Sequence, residues 1–138
     1  MSRSNNRRSS GRFIAIPHNV LNSSDYMTLS AIARSLLIEL AYQYNGKNNG
    51  DLTLAWKILK SRGFKSESTI NRGKKNLLEQ RLITEVRKGV AQNGRRLCSL
   101  YAINWRSLDE SFYPDGTPKH NLPSTRTPLR IDWKKFIS

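Results

Sequence analysis

A chain of 138 residues in which 24 lysines and arginines face 10 acidic residues has a net charge of +14 and the size of one domain with appendages. That excess attracts polyanions, nucleic acid before anionic lipid, and its sign excludes DNA mimicry. The single cysteine, Cys98, excludes an internal disulfide; Cys98, His18 and His120 are too scattered for a zinc site, and apolar runs such as Phe13-Ile14-Ala15-Ile16 are too short to span a bilayer.

Residues 1–12, MSRSNNRRSSGR, hold four arginines, no acid and no apolar side chain beyond Met1, which predicts a flexible basic arm. From Thr28, a candidate N-cap, Leu29, Ile32, Ala33, Leu36, Leu37, Leu40, Ala41 and Tyr44 recur at spacings of three and four. They predict a helix of about four turns, ended by Asn45-Gly46. Gly46 to Gly50 reads as a loop and Asp51 to Thr53 or Leu54 as a short strand. Thr53 is a candidate cap for a short helix reaching Arg62, with Leu54, Ala55, Ile58 and Leu59 on one face and Gly63 as its stop. Ser66 caps a further helix, about Glu67 to Gln80, whose buried line is Ile70, Gly73 and Leu77 with Leu78 at the margin.

Two strands, Ile83 to Arg87 and Leu97 to Trp105, then bracket a loop containing the tight-turn pair Asn93-Gly94. The near-continuous apolar run of the second strand implies cover on both faces, and places Cys98 as a small buried hydrophobe. Residues 106–138 hold Pro114, Pro118, Pro123 and Pro128, which predict an extended tail. Phe112, Tyr113, Leu122, Leu129, Ile131, Trp133 and Phe136 give that tail seven apolar anchors, favouring docking on the core over a tethered peptide for a protein partner. The expected organisation is an arm at 1–12, a core at 13–105 and a tail at 106–138. Residues 51–105 carry twelve basic against four acidic residues, so most of the charge excess lies there.

A short helix, the turn Gly63-Phe64-Lys65-Ser66 and a second helix form a helix-turn-helix pattern, and the hairpin after it forms a wing. Ser66-Glu67-Ser68-Thr69-Ile70-Asn71-Arg72, then Leu77-Leu78-Glu79-Gln80-Arg81-Leu82-Ile83 and the wing, resemble the winged helix-turn-helix superfamily. The chain is similar, more specifically, to small helix-turn-helix proteins of prophages and other bacterial mobile elements, some related to replication-initiator winged domains. In those proteins stretches like Ile16-Pro17-His18-Asn19-Val20-Leu21, a Leu29-Ser30 helix start, Tyr44 to Gly50 and a closing Tyr101-Ala102-Ile103-Asn104-Trp105 recur together. The resemblance covers about residues 13–105 and, loosely, the tail. It implies an α+β fold with a three-helix core and a β-hairpin wing, and a double-stranded DNA partner. It also implies a regulatory or replication and maintenance role on the bacterial nucleoid, in the cytoplasm. Two positions depart from the pattern: Lys74 stands where an aliphatic residue is usual, and Arg81 where a glycine is usual. Lys74 lies about 40° from Ile70 on the helical wheel, so its stem must cover the core edge while its ammonium reaches water. Gly73 is best explained by close packing against a neighbouring helix.

Ser68, Arg72 and Lys75 point away from Ile70, flanked by Thr69, Asn71 and Asn76. Arginine can take guanine and asparagine adenine bidentately, so Arg72 and Asn71 are the first candidates for base contacts. Lys57, Lys60 and Lys65, with Arg87, Lys88, Arg95 and Arg96 of the wing, are candidates for phosphates. Arg3, Arg7, Arg8 and Arg12 could enter a minor groove or act as an untethered cationic tail. Taken without the fold, the same polar helix face is an ordinary solvated surface. His18 reads as a capping or packing residue, Asp109 and Glu110 as solvated carboxylates, and Trp105 and Trp133 as core and docking side chains.

Two other function classes remain. One is an RNA or ribonucleoprotein binder, although the aromatic strand pattern of base-stacking sheets is missing. The other is a basic protein-interaction module acting on a host nucleic-acid enzyme. Neither a phosphate-gripping glycine loop nor a metal-spaced cluster nor a nucleophilic triad is present in the sequence, so no enzymatic activity, cofactor or metal is expected. A homodimer suits a reader of paired half-sites, though no heptads mark one.

Overall fold

The computed structural model describes residues 11–92 and 95–135; Arg3, Arg7 and Arg8 of the arm, Asn93-Gly94, Phe136 and the side chain of Arg95 lie outside the described part. The order is α1 (His18–Leu21), α2 (Ser24–Met27), α3 (Ala31–Gln43), α4 (Trp56–Ser61), α5 (Glu67–Glu79), β1 (Ile83–Arg87), β2 (Val90–Gln92), β3 (Arg95–Leu97) and β4 (Leu100–Ile103). The protein is therefore α+β, with five helices and two small antiparallel sheets among the described residues.

The long helix starts two residues later than Thr28 predicts. Thr28 turns its hydroxyl back to the carbonyls of Ser24 and Asp25 and so closes α2. Ser30 takes the N-cap instead, its Oγ accepting the Ala33 N–H at 3.2 Å. Leu29 is buried all the same, alongside Ala33, Leu36, Leu37, Leu40 and Ala41. Ser66 caps α5 as its sequence predicts, and the buried residues of that helix are Ile70, Gly73 and Leu77. Gly73 marks the closest approach of α5 to α3: a Cβ there would stand 2.8 Å from Leu36 Cδ1 and 3.2 Å from Ile32 Cγ2.

The expected strand at 51–54 contracts to one residue. Leu52 exchanges both backbone hydrogen bonds with Tyr101, at 3.2 and 2.8 Å. Thr53 cannot extend the pairing, because the Gln43 side chain accepts its N–H and donates to its carbonyl. Nor does Thr53 cap the next helix; its hydroxyl accepts the Ala55 N–H in a tight turn, and α4 begins at Trp56 without a side-chain cap. Of the apolar face expected there, Leu54 and Leu59 are buried and Ile58 is exposed.

β1 pairs with β4 in register Ile83 to Ile103, with an irregularity between Glu85 and Arg87. The expected wing loop is itself paired, Val90 with Leu97 and Ala91 with Arg96, so the hairpin continues past a break at 88–89 and 98–99. That break overturns the reading of Cys98, which is exposed. Its carbonyl accepts two bonds from the Arg87 guanidinium, and Ser99 Oγ accepts the Gly89 N–H, so neither residue continues the strand alternation.

All four residues of β4 are buried, as cover on both faces requires. Tyr101 and Ile103 enter the main core with α3 and α5, while Leu100 and Ala102 form a second cluster with Val86, Leu108 and Leu129. Leu129 comes from the tail, which runs extended against the core. The other anchors are unequal: Trp133 packs on the main core and Tyr113 is half-buried, but Phe112, Leu122 and Ile131 are exposed. The tail is held chiefly by polar groups. Arg130 is 7% exposed and donates to Asp25, Asp132 and the carbonyls of Gln80 and Arg81, while its guanidinium stacks on Trp133 at 4.2 Å.

Candidate nucleic-acid interface

The geometry of α5 separates its polar residues into three groups. Ser68, Asn71, Arg72 and Lys75 are exposed on the side away from the core. Arg72 is steadied by its own helix, one guanidinium nitrogen lying 3.4 Å from Thr69 Oγ1. Thr69 and Asn76 face α3 and are half-buried. Asn76 is committed there: its Oδ1 accepts the Ser30 N–H at 2.9 Å, fastening α5 to the first turn of α3, so its expected role as a groove reader is replaced by a structural one. On the third side, Glu67, Asn71 and Lys74 line a cleft of about 510 Å³ between α5 and the β2–β3 hairpin, with Trp56, Val90, Arg96 and Tyr101 among its other walls.

Lys74 behaves as its position on the wheel demands. Its stem is half-buried and its ammonium lies 5.9 Å from the centre of the Tyr101 ring, a cation–π arrangement at the core edge. Burial, aided by the Glu85 carboxylate that its hydroxyl meets, pushes Tyr101 up to about 12. Arg81, the second departure from the winged-helix pattern, has φ +62°, the one positive φ outside glycine among the described residues. The backbone there takes the left-handed turn that a glycine would accept without strain.

Lys57, Lys60 and Lys65 are exposed on α4 and in the turn before α5, and Lys88 and Arg96 are exposed on the hairpin. Arg87 is not available with them. It is half-buried and bound to the Cys98 carbonyl, the Tyr113 hydroxyl and the Lys119 carbonyl, because the irregularity after Glu85 turns it toward the tail. Arg12 is exposed at the start of the described chain. His18 is exposed, Trp105 lies in the core and Trp133 docks with its Nε1 on the Arg130 carbonyl. Asp109 is half-buried and accepts the Asn49 N–H, which corrects its reading as a solvated carboxylate.

The acids explain why this face is so positive. Asp25, Glu39, Asp51 and Asp132 pair with Arg130, Arg62, Lys119 and Arg81, all in the scaffold. Among the described residues, none of Lys57, Lys60, Lys65, Arg72, Lys75, Lys88 and Arg96 forms an ion pair. Arg62 is raised above its ordinary value by the hydrogen bond and charge of Glu39.

Three polar side chains that support this arrangement went unnoticed in the sequence. Asn49, fully buried, accepts the Ile103 N–H and donates to the carbonyls of Ile103 and Ser107. Asn104 donates to the Arg81 carbonyl and accepts from Thr84. Arg130 reaches two carbonyls at the C-terminal end of α5, where a cation also meets the negative end of the helix dipole. No periodic signal marks such residues.

No three His, Cys, Asp or Glu side chains among the described residues are grouped to hold a metal, and no described helix is long and apolar enough to cross a membrane. Comparison with protein-family models, curated proteins and solved structures finds no match.

Proposed function

We propose that this chain is a winged helix-turn-helix protein that binds double-stranded DNA, with α5 in the major groove and the β2–β3 hairpin on flanking phosphates. One observation carries the reading. The outward face of α5 presents Ser68, Asn71, Arg72 and Lys75 free of any carboxylate partner, beside a hairpin bearing Lys88 and Arg96 and a preceding helix bearing Lys57 and Lys60. These are the side chains that read base edges and neutralise phosphates, carried on elements that fit a groove and its rim. The order α3, α4, the turn Gly63-Phe64-Lys65-Ser66, α5 and the hairpin supports the reading, since the resemblance implies a three-helix core followed by a wing. A place on the bacterial nucleoid, and a role in regulation or in replication and maintenance of a mobile element, follow from that resemblance.

Selection from a random-sequence duplex pool, with structured RNA as competitor, tests the proposal and should return a motif. If about 6 to 8 phosphates are covered, the log–log slope of affinity against salt is about −5 to −7. Arg72→Ala should relax preference at one or two positions, whereas Arg96→Ala and Lys88→Ala should weaken all duplexes alike and flatten the slope by about 1 each. Equal losses on every sequence from all three variants would overturn the assignment of α5, and complete displacement by RNA would overturn the duplex as partner.

A further inference from the structure

The face of α3 turned away from the core carries no free charge. Ala31, Ser35, Ile38 and Tyr42 are all exposed, Ile38 by 42% and Tyr42 by 57%. At 100° per residue they fall within about 60° of one another, diametrically opposite Leu40. The two charged residues of α3 are both turned to partners in the same chain: Glu39 pairs with Arg62, and Arg34 donates to the Met27 carbonyl and stacks on Tyr26. Ser35 Oγ donates to the Ala31 carbonyl, so its hydroxyl needs no outside acceptor. Arg62, just past the end of α4, stacks on Tyr42 at 4.5 Å and is neutralised by Glu39.

We propose that this stripe is the contact between two copies of the chain, paired through antiparallel α3 helices about a two-fold axis near residues 36 and 37. Charge selects the occupant. Two molecules of net charge +14 repel over most of their surfaces, whereas residues 13–50 hold two basic and two acidic residues and offer a neutral face. An acidic partner would instead be drawn to α4, α5 and the hairpin. Residues 1–10 offer no apolar side chain beyond Met1 with which to cover the stripe. Shape selects the orientation. Antiparallel pairing sets Ala31 against the partner's Tyr42 and Ser35 against the partner's Ile38, small against large at each level, which keeps the helices evenly spaced. Parallel pairing would set Tyr42 against Tyr42 and Ala31 against Ala31, and the helices would splay. The inference does not depend on DNA binding, since the contact forms in free protein.

Sedimentation equilibrium of the purified chain under reducing conditions, over a rising concentration series, tests it. A reversible monomer–dimer equilibrium is expected. Ile38→Glu places two unpaired carboxylates in the interface and should weaken the dimer at least about tenfold, with an unchanged circular dichroism spectrum because the side chain is exposed in the monomer. A chain that stays monomeric throughout, or a dimer indifferent to Ile38→Glu and Tyr42→Lys, overturns the proposal. The orientation has its own readout in a Cys98→Ser background. Ser35→Cys and Ile38→Cys chains, mixed and oxidised, should give the mixed disulfide in preference to either like pair. Preferential like pairs would overturn the antiparallel arrangement.

Discussion

Replacing Gly73 by alanine adds a single methyl where α5 crosses α3, and two opposed effects set the sign of the result. Alanine is the better helix former by up to about 1 kcal/mol. The new Cβ, however, meets Leu36 Cδ1 at 2.8 Å, Ile32 Cγ2 at 3.2 Å and the Ala33 amide nitrogen at 3.4 Å. Leu36 is fully buried, so its methyl has nowhere to swing; Ile32 is β-branched and stiff at χ1; a backbone nitrogen moves only with its helix. Overpacking of this kind costs about 1 to 3 kcal/mol. The net expectation is a loss of about 1 to 2 kcal/mol. With a urea slope of about 2 kcal/mol/M the unfolding midpoint falls by roughly 0.5 to 1 M at constant slope. In a Leu36→Val background the offending methyl is gone, and Gly73→Ala should become neutral or stabilising; that change of sign is the coupling a double-mutant cycle detects. An unchanged or raised midpoint in the wild-type background refutes the close contact between α3 and α5.

Arg81→Gly should leave the thermal midpoint unchanged or raise it, because relief of the left-handed backbone, about 1 kcal/mol, outweighs an exposed ion pair with Asp132 worth about 0 to 1 kcal/mol; Arg81→Val should lower it. Arg130→Met should cost about 2 to 3 kcal/mol by leaving the partly exposed Asp25 and the Gln80 carbonyl without their donor, and limited proteolysis should then cut within 106–135. Asp132 is held below its ordinary 3.8, first by the hydrogen bond from Arg130, so its contribution is present above pH 3.8 and is lost as acid protonates it in the fold; melting curves across that range should lose this acid sensitivity in Arg130→Met. Tyr101 is shifted the other way, to about 12, so the fold is fully favoured below pH 10 and loses about 2 to 3 kcal/mol as pH rises toward 12. Urea titrations at pH 9 and 11 should show about half of this loss, roughly 1 to 1.5 kcal/mol, in the wild type and its absence in Tyr101→Phe.

The helices were legible where an apolar stripe and a hydroxyl cap agree, as in Ser66 with Ile70, Gly73 and Leu77. They were displaced where two hydroxyls compete for one role. Thr28 and Ser30 are equivalent to a capping rule; the backward hydrogen bond of Thr28 is what makes Ser30 the cap. Strand 51–54 failed for a similar reason, since the Gln43 side chain takes the backbone groups of Thr53 before another strand can. Among the wing cations the sequence could not separate Arg87 from Lys88. The irregularity beside Arg87 is a property of strand register, and register depends on partners that local sequence does not name.

The tail shows why composition alone misjudged its anchors. Counting apolar residues favoured docking, yet Phe112, Leu122 and Ile131 remain exposed while a buried arginine makes the connection. A guanidinium can satisfy several acceptors at once, and the end of α5 leaves carbonyls without helical partners. Arg130 meets the two at Gln80 and Arg81 from fifty and forty-nine residues downstream. With Ser66 capping its start and Gly73 pressed on α3, α5 is thus fixed at three points, and only its outward face is left without a structural task. That division of labour is why Arg72 and Lys75 are the substitutions expected to alter binding while sparing the fold, and Gly73, Arg81 and Arg130 those expected to act through the position of the helix.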